Sequence, residues 1–253
     1  MPFQPIEPRR LYRQIADQLR QLIQSGEFAI GSRLPAERDL AAKMGVSRPS
    51  VREALIALEV EGLIEVRMSA GIFVIGREAV RMLDNAPGPL EIIRARQLIE
   101  CELAALAAHS TDVTLVGDLQ ETLREMESDI AVRRLPITGD RNFHLRIAQA
   151  SDNSALQAVV TQLFDERNGQ LFARLGSHFE RETTWRQAVD EHRAVINAIT
   201  QHDPEQARAA MSAHLDQSHQ RFSAGWTTPV EFDPTRNPNE SGVHIERPVA
   251  TEY

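Results

Sequence analysis

The chain has 253 residues, with 28 basic and 36 acidic side chains, a formal net charge of −8 and a single cysteine, Cys101. One cysteine excludes an intrachain disulfide framework and a cysteine-rich zinc site. No apolar run reaches the roughly 20 residues that a membrane-spanning helix needs. The N-terminal segment MPFQPIEPRR lacks the basic and then apolar pattern of a signal peptide. These features predict a cytoplasmic protein with no membrane partner.

Charge is distributed unevenly along the chain. The first 81 residues hold 12 of the basic and 10 of the acidic side chains, a net of +2, whereas the remainder carries −10. This asymmetry predicts two domains with different partners. Prolines and glycine in NAPGPLE mark the boundary, and a proline-rich polar segment follows the last helical pattern. We therefore predict a first domain at 1–76, a linker at 77–89, an all-helical second domain at 90–223 and a flexible tail at 224–253.

Three helices and a β-hairpin are predicted in the first domain. Apolar residues at helical spacing mark the first helix, which Gly26 ends. The short second helix is entered through Pro35 and stops before Gly45, and Ser47 occupies the N-cap position of the third. Two apolar runs, LIEV and IFVI, flank RMSAG and predict the hairpin.

The second and third helices, joined by a short turn, have the arrangement that lays a second helix in the major groove of DNA. The first residues of that helix, Arg48, Ser50 and Arg52, would face the base edges. Arginine is the usual bidentate partner of guanine and also pairs with phosphate. The hairpin would form a wing beside this helix. Surface arginines on a three-helix unit are also compatible with a protein that does not bind DNA.

The stretch GSRLPAERDLAAKMGVSRPSVREALIALEVEGLIEVRMSAGIFV resembles the winged-helix domain of the GntR family of bacterial transcription regulators. The resemblance implies DNA contacts by Arg38, Arg48 and Arg52. It also places the hairpin tip, from Ser69 to Gly71, at the minor groove. Many members of the family have glycine where this chain has Ser69.

Helical spacing continues almost throughout the second domain, which predicts an antiparallel helical bundle and a mainly α fold for the whole chain. The predicted helices are Leu90–His109, Val113–Arg133, Gly139–Ala150, Ser154–Leu175, Phe179–His202 and Pro204–Phe222.

Three of the eight histidines combine with an aspartate in a pattern typical of a metal site. Asp140 and His144 lie four residues apart, on one face of one helix. His192 and His214 each lie about 11 residues, or roughly 16 Å, from the turn at Asp203, so an antiparallel helix pair brings them to one level. Imidazole and carboxylate suit zinc, nickel or manganese. From spacing alone, buried histidines that are satisfied by carboxylates explain the pattern equally well.

The second domain resembles FCD, the all-helical ligand-binding domain of the FadR-type branch of the GntR family. Metal-binding members share an Asp-x-x-x-His helix and two later histidines. The resemblance therefore implies that the four residues above bind a divalent metal ion, zinc first and nickel or manganese as alternatives. In RARQLIECELAALAA an arginine of this domain often faces the ligand, which implies Arg96, with Arg94 as the alternate.

Trp185 lies about two helical turns before His192 and would either close over a sugar-like ligand or pack in the core. The segments EPRRLY, LPAER, VREALIALEVEG, ARQLIE and NSAL resemble most those of regulators of hexuronate use. The resemblance implies a homodimeric repressor of a sugar-acid catabolic operon. A carboxylate effector would release it from a palindromic DNA operator.

Parts of the sequence are also compatible with other functions. A metal sensor would respond to zinc or nickel itself, and a related regulator would respond to lactate or citrate. The histidine set argues against a regulator that binds acyl-CoA. An enzyme is disfavoured because the sequence lacks an HExxH-type base, a nucleophile elbow and a phosphate loop. We therefore predict no catalytic residues.

Overall fold

The computed structural model describes residues 10–67, 70–76, 87–168 and 170–223. Within these ranges it contains ten α-helices, one 3-10 turn and one two-stranded sheet. The elements are α1 (Leu11–Gln24), α2 (Glu37–Met44), α3 (Arg48–Val60), β1 (Ile64–Arg67), β2 (Gly71–Val74), α4 (Pro89–Ala108), α5 (Leu115–Ala131), α6 (Ile137–Gln149), α7 (Ser154–Asp165), the 3-10 turn (Glu166–Asn168), α8 (Gln170–Phe179), α9 (Glu182–Thr200) and α10 (Pro204–Ser223).

The first domain is a winged helix, as predicted. Gly45 ends α2 in the left-handed conformation at a φ of 66°, which glycine adopts without strain. Ser47 caps α3 by accepting a hydrogen bond of 3.3 Å from the backbone nitrogen of Ser50. β1 and β2 pair antiparallel, with Ile64 opposite Val74.

The second domain is a helical bundle, which confirms the predicted mainly α fold. α4 packs along α10, α10 packs against α9, and α5 and α6 close the other side. Its core is formed by apolar side chains such as Leu119, Met126, Phe143 and Met211, all fully buried. No helix in the described part of the chain is long and apolar enough to cross a membrane.

The structure divides the predicted helix Ser154–Leu175. α7 stops at Asp165, the 3-10 turn follows, and α8 then runs to Phe179. The sequence at the break is Asn168-Gly169, two residues with weak helix propensity. The break lets α8 pack against α3 of the winged helix, and it places Arg167 beside the predicted metal site.

The hydrophobic core of the winged helix extends past the predicted boundary at Pro89. Side chains from the start of α4, from α8 and from the end of α10 join it: Leu90, Ile92, Ile93, Leu171, Phe172, Leu175, Phe179 and Phe222. The two domains therefore share buried apolar surface. Most of the predicted linker, 77–86, and the predicted tail, 224–253, lie outside the described residues.

Candidate metal centre and nucleic-acid interface

Three helices bring the predicted metal ligands together inside the bundle. Asp140 and His144 come from α6, His192 from α9 and His214 from α10, and each is at most 4% exposed. Their ligand atoms all lie within 4.8 Å of one another. The Nε2 atoms of His192 and His214 are 3.2 Å apart. Asp140 Oδ1 lies 3.6 Å from His192 Nε2 and 3.8 Å from His144 Nε2.

The quoted separations come within a few tenths of an ångström of those expected around a single metal ion. Bonds of about 2.1 Å place neighbouring ligand atoms about 3.0–3.4 Å apart. His144 Nε2 is buried and has no hydrogen-bond partner among the described residues. A buried nitrogen without a partner is costly unless something binds it. Three imidazoles and one carboxylate form a donor set that zinc accepts and that nickel and manganese also accept.

Burial and the neighbouring charges favour the deprotonated forms of the cluster residues, which are the forms that bind a cation. Burial, and then His214 and His144, lower the pKa of His192 well below its ordinary value of 6.5. Burial also lowers the pKa of His214 to about 4. Burial opposes ionisation of Asp140, but Arg167, His144 and His192 outweigh it and lower the pKa of this carboxyl. At neutral pH the cluster therefore offers a carboxylate and at least two neutral imidazoles as ligands.

Two carboxylates that the sequence analysis did not single out contact the outer nitrogens of this cluster. Glu100 Oε2 lies 2.5 Å from His144 Nδ1, off the direction of the N–H bond. Glu191 Oε2 lies 2.8 Å from His214 Nδ1. Glu191 directly precedes a predicted ligand, but its sequence position does not reveal which nitrogen it contacts.

A small cavity of about 30 Å³, room for one or two water molecules, adjoins the cluster. Three arginines line it: Arg96, Arg167 and Arg221. The predicted effector residue Arg96 is thus at the cavity, and it is 2% exposed. The alternate, Arg94, is exposed and faces His219 across 3.4 Å instead.

Trp185 also lines this cavity and is 7% exposed. Its indole Nε1 is buried without a hydrogen-bond partner among the described residues. Glu180, at the same wall, was not identified from the sequence. Burial raises the pKa of Glu180 to about 7, against the opposing effect of Arg167.

Two of the predicted DNA-contacting arginines are open to solvent. The side chain of Arg38 is 82% exposed and that of Arg48 is 54% exposed, with Arg48 Nε donating to Glu37 at 2.9 Å. Gly71, at the start of β2, has a φ of 115°, and a Cβ there would lie 2.4 Å from the Arg33 side chain. The positive φ favours glycine at this position of the wing, because other residues adopt it only with strain.

Ser50, at the first turn of α3, is half-buried and shares a 2.8 Å hydrogen bond with the capping Ser47 hydroxyl. Ser69, the other predicted wing residue, lies outside the described residues.

Arg52 differs from the prediction, because it is 1% exposed. Its guanidinium forms a 2.7 Å ion pair with Glu37 and donates to the backbone oxygen of Phe222 at 3.1 Å. The ring of Phe179 lies 5.4 Å from the guanidinium carbon. The ends of α8 and α10 thus cover Arg52, and its predicted contact with bases is not available in this arrangement of the domains.

Comparison with known proteins identifies the family to which the chain belongs. Residues 11–74 match the model of the bacterial regulatory proteins of the gntR family, and residues 91–217 match the FCD domain. The chain belongs to the GntR family. This GntR regulator is therefore a DNA-binding transcription regulator and not an enzyme, as the sequence analysis predicted.

Several named regulators are similar over most of their length. The Exu regulon transcriptional regulator of Escherichia coli (strain K12) is 36% identical over 220 residues, which cover 83% of each chain. The Uxu operon transcriptional regulator of the same strain is 33% identical, covering 85% of this chain and 87% of that protein. The Uxu operon regulator of Haemophilus influenzae is 33% identical, covering 82% and 80%.

Proposed function

We propose that this GntR regulator represses a sugar-acid catabolic operon. It leaves its operator when a hexuronate or a related sugar acid binds beside a metal ion in the FCD domain. The observation that carries the proposal is that a cluster of four metal ligands adjoins a cavity lined by three arginines. The names of the Exu and Uxu relatives support the effector class.

Asp140, His144, His192 and His214 would hold the ion, with zinc as the first choice and nickel or manganese as alternatives. A divalent ion with open coordination positions supplies an attachment point for a carboxylate and a neighbouring hydroxyl group. The chain itself orients the site, because Arg167 pairs with the Oδ2 atom of Asp140 and leaves Oδ1 facing the histidines.

Charge balance explains why the bound molecule should be an anion. Each cavity arginine already pairs with one carboxylate: Arg96 with Glu100, Arg167 with Asp140 and Arg221 with Glu191. A divalent ion therefore adds positive charge that these pairs do not neutralise. Glu180 offsets only part of it, since burial raises its pKa to about 7 and the group is therefore incompletely ionised at neutral pH. An anionic effector restores the balance, and arginine binds carboxylates through paired hydrogen bonds.

The size of the cavity links the effector to DNA binding. A sugar acid is far larger than one or two water molecules, so the walls must move to admit it. Phe179 and Phe222 line the cavity, and the same two residues contact Arg52 of α3. Widening the cavity would therefore displace the contacts that fix α3 against the FCD domain.

In this proposal Arg38, Arg48 and Ser50 contact the operator, with the wing at Ser69 and Gly71 beside them. A homodimer would place two copies of α3 in successive major grooves of a palindrome. A shift of α3 relative to the FCD domain changes the spacing of the two copies. The effector releases the operator because it binds more tightly to the arrangement in which the two copies of α3 no longer match the spacing of the operator.

The test begins with operator DNA selected from a random-sequence pool by the full-length protein. In the presence of zinc, we expect galacturonate, glucuronate or an aldonate to weaken operator binding. Chelation of the metal should abolish this effect of the acid. If the protein retains its operator equally well at saturating concentrations of all these acids, the proposed effector class is wrong.

Two alternatives can be distinguished in the same assay. A relative provisionally named an L-lactate dehydrogenase operon regulatory protein, from Escherichia coli (strain K12), is 34% identical over 94% of this chain. Release by lactate or citrate, without release by hexuronates, would favour that effector class. Operator affinity that follows the free zinc concentration without any acid would instead indicate a metal sensor.

A further inference from the structure

Glu100, on α4, joins a metal-binding histidine to an arginine of the cavity. Its side chain is 2% exposed, and Oε2 lies 2.5 Å from His144 Nδ1. Oε1 accepts a hydrogen bond of 2.7 Å from Arg96 Nε. Both oxygens of this buried carboxyl group thus face a nitrogen atom of another side chain.

Glu191, on α9, repeats this arrangement at a second histidine. Its Oε2 lies 2.8 Å from His214 Nδ1. Both oxygens also accept from Arg221, at 2.8 Å from Nη1 and 3.1 Å from Nη2. Glu191 therefore also contacts a histidine of the cluster and an arginine of the cavity at once.

A carboxylate at Nδ1 decides what the other side of the imidazole ring can do. Glu191 accepts a hydrogen bond from His214 Nδ1, which holds the ring proton there and leaves a lone pair on Nε2. At His144 the Glu100 oxygen lies against Nδ1 but off the N–H direction, so its negative charge, rather than a hydrogen bond, favours the proton on that nitrogen. The Nε2 atoms of His144 and His214 are the ones that face the cluster, 3.8 Å from Asp140 Oδ1 and 3.2 Å from His192 Nε2 respectively. His192 Nδ1, by contrast, has no partner among the described residues.

We propose that Glu100 and Glu191 are positioning residues, and that each holds one metal-binding histidine and one cavity arginine in place at the same time. The inference rests on the proposed metal-dependent function. It adds that the metal site and the anion cavity are one unit connected by hydrogen bonds and ion pairs, in which the metal ligands and the effector-binding arginines are oriented by the same two carboxylates.

The test compares Glu100→Gln and Glu191→Gln with matched variants on the same helices. Glu102→Gln and Asp190→Asn make the equivalent change at neighbouring exposed residues, which pair with surface arginines. The full-length protein is stripped of metal and titrated with zinc against a chromogenic chelator. We expect each positioning variant to bind zinc about 10–100-fold more weakly, as is usual when the partner of a ligating histidine is removed. The matched variants should bind like the wild type.

A second readout separates positioning from simple stabilisation. Nitrogen-15 spectra of histidine-labelled, metal-free protein report which ring nitrogen carries the proton. We expect His144 and His214 to carry it on Nδ1 in the wild type, and each variant to lose this preference at its own histidine. Should Glu100→Gln not fold, Glu191→Gln decides the question, because the Glu191 side chain is 19% exposed and its replacement is better tolerated.

The outcomes are distinguishable. A wild-type protein that binds neither zinc, nickel nor manganese would reject the proposed metal-dependent function and the inference with it. A wild type that binds zinc, with variants that bind it equally tightly and keep the Nδ1 proton, would reject the inference alone. Weaker zinc binding and an altered ring proton at the matching histidine would support it.

Discussion

At the scale of single residues, Arg48 and Arg52 share the carboxylate of Glu37 but differ in exposure. The side chain of Arg48 is half exposed, whereas Arg52 is buried and also reaches the backbone oxygen of Phe222. Helical spacing places both residues in the first turns of α3. It does not reveal that the end of α10 covers Arg52. Arg52 therefore connects α3 to the end of α10 in this arrangement of the domains.

We expect Arg52→Lys to lower both operator affinity and stability. Lysine lacks the planar fork that reaches Glu37 and Phe222 together. Loss of hydrogen bonds to a buried charged group costs about 1.5–3 kcal/mol in the free energy of unfolding, measured by urea denaturation. Arg48→Lys is the control and should weaken operator binding without this loss. An unchanged unfolding curve for Arg52→Lys would contradict the assignment.

Trp185 is expected to contact the effector through its unpartnered indole N–H. In Trp185→Phe the smaller ring costs about 1–2 kcal/mol of stability, but zinc affinity should not change because no metal ligand is altered. The rise in melting temperature that galacturonate causes in the presence of zinc should shrink. An effector response equal to that of the wild type would show that Trp185 is a core residue only.

Glu53 should make stability depend on pH near neutrality. Burial raises the pKa of Glu53 from 4.5 to about 7, and its Oε1 accepts a 2.8 Å hydrogen bond from the Leu90 nitrogen. The folded state therefore favours the protonated form, so this stabilisation is complete below pH 4.5 and is lost as pH rises through 7.

Glu53→Gln keeps a hydrogen-bond acceptor and cannot ionise. Between pH 5 and pH 8 its free energy of unfolding should therefore gain up to about 3 kcal/mol relative to the wild type. Urea denaturation at the two pH values checks this difference. A constant difference across the range would contradict the argument.

At the scale of elements, the contact between α3 and α8 connects the two domains. Glu59 of α3 is 3% exposed in its side chain and pairs with Arg174 at 2.8 Å and His178 at 2.7 Å, both on α8. Its Oε1 also accepts from the backbone nitrogen of Val66 in β1. One buried carboxylate thus joins α3, the β-hairpin and the FCD domain.

We expect the double variant Arg174→Gln and His178→Gln to weaken operator binding several-fold without any effector. Both substitutions leave α3 itself unchanged but leave Glu59 with weaker partners, and a buried charge without its partner opposes the packed state. The domains should then separate more readily, and the two copies of α3 should lose their fixed spacing. Arg186→Gln, which removes an exposed ion pair with Glu182, is the control. Unaltered operator affinity in the double variant would contradict this.

The elements themselves were largely predictable, because apolar spacing and capping residues act locally. Ser47, Gly45 and the two apolar runs of the hairpin specify the winged helix in this way. The break after α7 was missed, because helical spacing continues across Asn168. The contacts of Glu59 with α8 were also missed, since they depend on how two domains pack and leave no periodic signal.

The same division applies to the candidate metal site. The convergence of its four residues could be predicted from the sequence because helix geometry fixes the level of residues on either side of a turn. Glu100, Glu191 and Arg167 could not, because charged residues are common on helices and their burial follows from tertiary packing.

At the scale of the whole molecule, a chain of charged contacts runs from the metal cluster to α3. Arg221, which pairs with Glu191, precedes Phe222, whose backbone oxygen holds Arg52. In the proposed function, a metal ion and an effector at one end would therefore bias the position of α3 at the other. Such coupling requires only that the two domains change their relative position, and neither domain has to refold.

The central claim is that Asp140, His144, His192 and His214 bind one metal ion, and calorimetric titration of the metal-free, full-length protein with zinc tests it most directly. We predict one zinc ion per chain, a melting temperature that rises with zinc, and at least a 100-fold loss of affinity in His192→Gln. The exposed control His109→Gln should bind zinc like the wild type. No zinc binding, or binding that His192→Gln leaves unchanged, would contradict the account.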